Sequence, residues 1–318
     1  MAGRTLLHPD EPADRMFFRN LTLFRFAPSI ANDLNDMDAR LAAHPLKPVG
    51  PLELFSRGFV SPFGRGEDGM AHRVGNAALA TLGGEDKLLP SAVVNQVLAE
   101  KLDAISQREG RRPGGRERKR IKDEVLTDLL PRAFARPSRL NGYLDLANGW
   151  VVIDSASRKA AEGYVSALRE AFGSFPALPA NAESSPRALM TAWIAGDPLP
   201  EGFELGDECE LRDPADTRVL VKAQRHDLGC EEVREHLKAG KQAFRVALVF
   251  EERLSFVLGE DLVIRKLKFL DSVTEQLEQD NAADARAELD AVFALMSGEL
   301  ARLLGRLEKE LSLTAAEA

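Results

Sequence analysis

Along this chain apolar residues recur at every second position or at spacings of three and four, and the switches between those periods mark its elements. Residues 17–26, F-F-R-N-L-T-L-F-R-F, read as a strand. Ile30, Leu34, Met37 and Leu41 predict a helix over residues 29–43, which Pro45, Pro48 and Pro51 bring to an end. Residues 58–69 read as loop and 77–82 as a short apolar strand. Past Pro90, Val94, Val97, Leu98, Leu102 and Ile105 share one helical face, with Ser91 the expected N-cap. Ile121, Val125, Leu126, Leu129 and Leu130 form a second stripe that begins near Arg116. Pro113, Gly114 and Gly115 lie between the stripes, so the pattern is that of a helical hairpin.

Asn148-Gly149, between Tyr143-Leu-Asp-Leu and Trp150-Val-Val-Ile, is a strong β-hairpin signal. An amphipathic helix follows over residues 157–172. Residues 173–200, rich in Pro, Ala and Ser, read as a connection between domains. Residues 219–221, 244–250, 254–258 and 262–269 read as strands, the last three forming a meander, and residues 228–238 as a helix. The chain closes on one long helix marked by Leu289, Val292, Phe293, Met296, Leu300 and Leu303. Hairpins in place of long parallel crossovers point to an α+β fold with antiparallel sheets and flanking helices.

Composition narrows the picture. The 318 residues are 44% hydrophobic and 29% charged, which suits a globular protein with sizeable cores rather than a disordered chain. No apolar run approaches the roughly 18–20 residues of a membrane helix, and nothing near Met1 resembles a signal peptide. Two cysteines, Cys209 and Cys230, cannot build a disulfide framework, so the chain reads as cytoplasmic and reduced.

The net charge of −8 argues against a polyanionic partner until its distribution is followed. Between Arg108 and Lys122 eight bases meet two acids, a local charge of +6, whereas residues 271–318 carry −7. The bases are Arg108, Arg111, Arg112, Arg116, Arg118, Lys119, Arg120 and Lys122. A concentrated basic segment in an acidic protein is the footprint of a phosphate-backbone binder. The bland alternative is a solvated helix face, or a basic loop that pairs with the acidic tail. Lys222, Arg225 and His226 form a smaller basic set. No aromatics are interleaved with either set, so a stacking platform for single strands is not indicated.

Enzyme signatures are missing from the sequence: there is no G-x-S-x-G, no Walker A loop, no G-x-G-x-x-G after a strand and no H-E-x-x-H. His226, Cys230 and His236 match no usual zinc spacing and bring no evident fourth ligand, so they read as surface or satisfied polar groups. Glu231-Glu232 and Glu251-Glu252 fall in a helix and a turn, where solvation suits them. No catalytic constellation emerges, and no cofactor or metal is implied.

A series of segments in order resembles the bacterial recombination-associated RdgC family. It begins with M-F-F-R-N-L from Met16, K-L-L-P at residues 87–90 and I-K-D-E-V-L-T-D-L-L-P-R-A-F at 121–134. N-G-W-V-V-I-D-S-A-S from Asn148, L-P at Leu178, W-I-A-G from Trp193 and E-G-F-E-L from Glu201 follow. R-H-D-L from Arg225, A-L-V-F-E-E-R-L-S-F-V-L from Ala247, L-K-F-L-D from Leu267 and F-A-L-M-S-G-E-L from Phe293 complete it. Phe17 stands where the family commonly has Trp, and His226 where it commonly has Gln.

The resemblance implies a ring-shaped homodimer that encircles double-stranded DNA without sequence preference and restrains the recombinase RecA by occupying its DNA. Such a protein is nucleoid-associated, is not an enzyme and has no membrane partner; whether it also takes single strands stays open. Residues 1–15, polar and punctuated by proline, read as a flexible extension ahead of the family pattern. The organisation implied beyond it is a central α+β domain from 16–89 and 134–178, a protruding helical tip at 90–133 and an α+β base domain at 179–318. The expected DNA contacts are Arg111, Arg112, Arg116, Arg118, Lys119 and Arg120 at the tip, with Lys222, Arg225 and His226 beyond it. Phe134 is expected at a subunit contact. The rival readings are a metal-dependent enzyme acting on DNA and a structural dimer without a DNA role.

Overall fold

The computed structural model describes residues 17–64, 67–216, 218–278 and 285–314, so the expected extension at 1–15 lies outside the described residues. The first half contains β1 (Leu21–Arg25), α1 (Met37–Ala42), β2 (Phe55–Val60), β3 (Ala71–Val74) and β4 (Ala77–Lys87). It continues through α2 (Ser91–Glu109), α3 (Gly115–Leu129), β5 (Ala135–Asp145), β6 (Trp150–Asp154) and α4 (Arg158–Phe172). The second half runs through β7 (Leu178–Pro179), α5 (Pro186–Ala195), β8 (Phe203–Arg212), β9 (Leu220–Gln224) and α6 (Glu231–Lys238). It ends with β10 (Gln242–Phe250), β11 (Leu254–Gly259), β12 (Ile264–Phe269), α7 (Asp271–Glu278) and α8 (Ala285–Glu310).

The strands form one antiparallel sheet in the order β2-β4-β5-β6-β1-β12-β11-β10-β8-β9, with β3 beside β4 and β7 beside β1. The fold is therefore α+β, as the hairpin chemistry indicates. Successive strand residues point to opposite faces, and in the first half both faces are covered. Phe24, Val151, Ile153 and Leu144 pack under α1 and α4, against Met37, Leu41, Tyr164 and Leu168. Leu21, Leu23, Val152 and Tyr143 face the other way, into the larger core with α5 and α8. Two-sided burial is why Trp150-Val-Val-Ile is apolar throughout instead of alternating.

At the seam between the halves, β1 pairs with β6 at five positions but with β12 only at Leu21↔Ile264. Helix α8 spans the seam. On the first half Phe293 lies 5.7 Å from Tyr143 between ring centres, His72 Nε2 lies 2.9 Å from Asp290, and Glu308 pairs with Arg25. On the second, Glu299 takes a two-pronged pair from Arg253 at 2.6 and 2.8 Å, and Glu251 pairs with Arg302.

Several expectations are corrected. Strand β1 begins at Leu21, with Phe17 and Phe18 buried ahead of it in irregular backbone. The helix expected at 29–43 is split into a 3-10 segment, Pro28–Leu34, and α1, with Asn35-Asp36, residues of low helix propensity, at the break. Gly58 belongs to β2 rather than to a loop: a Cβ there would come within 2.4 Å of the Leu46 backbone, so glycine permits close passage of the neighbouring segment. Pro90, not Ser91, is the N-cap of α2, and no side chain caps it. Residues 173–200, expected as a connection, contain α5, whose Met190, Trp193 and Ile194 are buried in the larger core. Strands β2, β3, β7 and β8 and helix α7 are not among the elements that the apolar pattern predicts.

Candidate nucleic-acid interface

The helix pair that carries the basic cluster has its own small core, with Val94 and Leu98 of α2 against Ile121 and Val125 of α3. Lys101 reaches across to Asp128 at 2.6 Å. Gly110 ends α2 in the left-handed conformation at φ 66°, its N–H donating to the Ser106 carbonyl at 2.9 Å, and Gly114 starts α3. The cations thus surround a turn of five residues between two packed helices.

Their pairing separates them into two groups. Arg111 is held by two acids, at 2.8 Å from Glu109 and 2.8 Å from Glu117. The hydrogen bonds that Arg111 donates to Glu117 raise the Arg111 pKa and lower that of Glu117. Arg111 therefore bridges the two ends of the turn, and part of its charge is balanced locally by these two acids. Arg120 lies 3.8 Å from Glu124. By contrast Arg112, Arg116, Arg118 and Lys119 are exposed and form no ion pair with any described residue.

The second basic set lies at the sheet edge. Lys222 on β9 is 3.7 Å from Glu210, a carboxylate only 5% exposed that also pairs with Arg212 and, at 3.3 Å, with Arg245. Burial pushes Glu210 up, but Arg212, Arg245 and Lys222 outweigh it and hold the group below its ordinary value. Three cations share this one carboxylate, although Glu204, Asp207, Glu208, Asp213 and Asp216 lie on the same strand and the loop after it. Arg225 follows with φ 52°, and His226 is turned so that its Nε2 lies 3.2 Å from Cys230 Sγ. His236 is elsewhere, at the other end of α6, 3.5 Å from Lys241.

The structure does not bring the two sets together within one chain. The helix pair springs from β4 and β5, and β9 lies seven strands further along the sheet. At about 4.8 Å per strand this is roughly 34 Å along the sheet.

Phe134 is 83% exposed, the most exposed large apolar side chain among the described residues. Its carbonyl accepts from Leu88 N–H at 2.8 Å, and the neighbouring Lys87 N–H donates to the Leu54 carbonyl at 2.8 Å. The ladders therefore gather Leu54, Leu88 and Phe134 at one end of β2, β4 and β5, and Leu54 and Leu88 are themselves 56% and 46% exposed. The pattern of the sequence marked Phe134, but not its two apolar neighbours.

No helix among the described residues is long and apolar enough to cross a membrane. The fold and its surface define an antiparallel α+β protein with a cluster of exposed, unpaired cations at a turn between two packed helices. Comparison with known proteins makes that class specific. The model of a family described as "Putative exonuclease, RdgC" matches residues 16–314. The recombination-associated protein RdgC of Xanthomonas oryzae pv. oryzae (strain MAFF 311018) is 55% identical over 303 residues, covering 95% of this chain and 100% of the relative. That of Xanthomonas campestris pv. campestris (strain B100) is 55% identical over 304 residues, and that of Stenotrophomonas maltophilia (strain R551-3) 52% over 303, with the same coverage. This chain belongs to the RdgC family.

Proposed function

We propose that the protein takes part in recombination as a non-enzymatic binder of double-stranded DNA, closing around the duplex as a ring-shaped homodimer in the nucleoid. Occupancy of the duplex then restrains RecA-driven strand exchange. The observation that carries this reading is the unpaired group Arg112, Arg116, Arg118 and Lys119 around one glycine-rich turn, in a chain whose net charge is −8. Exposed arginines at a turn suit the phosphate backbone better than fixed readout of base edges. The name of the relatives, recombination-associated protein, supports the same biology. Phe134 with Leu54 and Leu88 supplies an apolar anchor of the kind that dominates subunit contacts. Two basic sets far apart in one chain favour contact at several points around a ring.

The family description raises an exonuclease reading. Metal-dependent nucleases hold Mg²⁺ through clustered oxygens. The one grouping of three potential ligands among the described residues is His226, Cys230 and Glu232, which offers a single carboxylate. A single carboxylate beside nitrogen and sulfur donors does not suit Mg²⁺, which weighs against a Mg²⁺-dependent nuclease built on this cluster.

Mobility-shift titrations on unrelated linear duplexes across salt concentrations test the proposal, alongside incubation of the same duplexes with Mg²⁺ or Mn²⁺. Binding that weakens steeply with salt, equally on all sequences and without cleavage, is expected. Shortened DNA, or affinity indifferent to salt, overturns it.

A further inference from the structure

We propose that His226, Cys230 and Glu232 form a zinc site with one open coordination position. Their donor atoms (an imidazole nitrogen, a thiol sulfur and a carboxylate oxygen) all lie within 4.8 Å of one another. The sulfur and the Nε2 nitrogen are already 3.2 Å apart. Tetrahedral zinc, with bonds of about 2.0–2.3 Å, holds such donors roughly 3.4–3.6 Å apart, so small side-chain rotations close the site.

The backbone fixes this arrangement. Arg225, in the left-handed region at φ 52°, reverses the chain after β9 and delivers His226, whose N–H donates to the Asp207 carbonyl at 3.1 Å. Leu228, 1% exposed, pins the loop into the larger core. Asp227 accepts from Gly229 N–H at 2.8 Å and shapes the turn into α6, where Cys230 is the N-cap and Glu232 the second helical residue. Cys230 makes no capping hydrogen bond to the helix backbone, so its sulfur remains available. A bound thiolate and carboxylate place their negative charge at the N-terminal end of α6, which the helix dipole favours.

Sulfur, nitrogen and oxygen donors together select zinc over Mg²⁺ or Ca²⁺, which require oxygen. His226 and Glu232 are exposed and Cys230 half-buried, so the fourth position faces water. Zinc binding displaces the thiol proton into solvent. The bound site is therefore about one charge unit more positive than the free site, beside Arg225 and Lys222. The zinc site does not depend on the DNA reading: it stands whether or not this sheet edge meets DNA.

The test uses the full chain, stripped with a chelator and titrated first with Co²⁺ and then with Zn²⁺. One Co²⁺ per chain is expected, with a thiolate-to-cobalt charge-transfer band and the visible absorption of a four-coordinate ion, both removed by one equivalent of Zn²⁺. Cys230→Ser should abolish the charge-transfer band. His226→Gln and Glu232→Gln should each weaken zinc binding by roughly tenfold or more, since even residues that only orient metal ligands matter by that factor. Exposure of these two side chains makes their variants safe for folding, which circular dichroism of the metal-free forms checks. Binding only at millimolar zinc, a band that survives Cys230→Ser, or unchanged affinity in both Gln variants would overturn the proposal.

Discussion

The Leu88 amide donates to the Phe134 carbonyl at 2.8 Å, and this bond joins the residue entering the helix pair to the residue leaving it. Just inside it, Lys87 faces Ala135 at the end of the β4–β5 ladder. Phe134 is therefore held by backbone on both sides while its ring stays 83% exposed. A rigidly presented aromatic loses little entropy when a partner covers it.

Phe134→Ser should shift the protein from dimer towards monomer and weaken DNA binding. Because the ring makes no buried contact, the melting temperature of the dilute chain should hardly change. Sedimentation equilibrium checks this; a variant that remains a stable dimer contradicts it.

Paired and unpaired arginines at the turn should behave differently. Replacing Arg112 and Arg116 by Ala should flatten the plot of log affinity against log salt by about 0.9 per lost phosphate contact, hence by up to roughly 1.8, equally on unrelated duplexes. Replacing Arg111 and Arg112, the adjacent pair, should flatten it less, because Arg111 is already bound to Glu109 and Glu117. Equal slopes for the two double variants would refute the distinction.

Tyr164 of α4 is buried, with its hydroxyl 3.0 Å from the Gly142 carbonyl and 3.1 Å from that of Ala80, one on each of β5 and β4. Tyr164→Phe should cost about 1 kcal/mol, the value of one buried hydrogen bond. Gly142→Ala should cost more, about 1–3 kcal/mol, because the added Cβ meets the tyrosine ring at 2.7 Å. Urea unfolding of the two variants gives the order directly.

His72, between Phe63 and Phe293, is held below the ordinary imidazole value by burial; Asp290 opposes that shift and Arg286 reinforces it. Its Nε2 is close to Asp290 but off the line of a hydrogen bond, so the acid compensates burial only in part. The folded state therefore favours neutral His72. The stability this gives is complete above about pH 6.5, where the unfolded imidazole is also neutral, and is lost progressively as the pH falls below it. Melting temperatures from about pH 7.5 to 5.5 should decline less in His72→Phe than in the parent; parallel curves would exclude His72 as the cause.

The sequence disclosed those elements whose local pattern and tertiary role agree. Asn148-Gly149 fixes the β5–β6 hairpin, and the leucines of α8 all lie on the face that the larger core buries. Strand β8 was illegible for a physical reason. It carries a buried acid, Glu210, at a core position, and its register against β10 shifts between Val246 and Leu248, so period-two alternation is lost. At the candidate interface the cluster itself was readable from charge. The division within it was not, because the two acids that neutralise Arg111 follow no helical spacing. The contact of Glu232 with Cys230 and His226 has no signal in the sequence, because adjacent acids at a helix start have the pattern of a solvated helix end.

With one ladder pair, Leu21↔Ile264, and the Leu267 N–H bond to the Arg19 carbonyl beside it, the long sheet is, mechanically, two plates that meet along a short, sparsely stitched line. Stiffness against folding along that line comes from α8, which lies across it like a beam, fastened to one plate by the Tyr143–Phe293 contact and to the other by the Arg253–Glu299 pair. Twist imposed at either outer edge is consequently shared between this short seam and the helix and core that cross it.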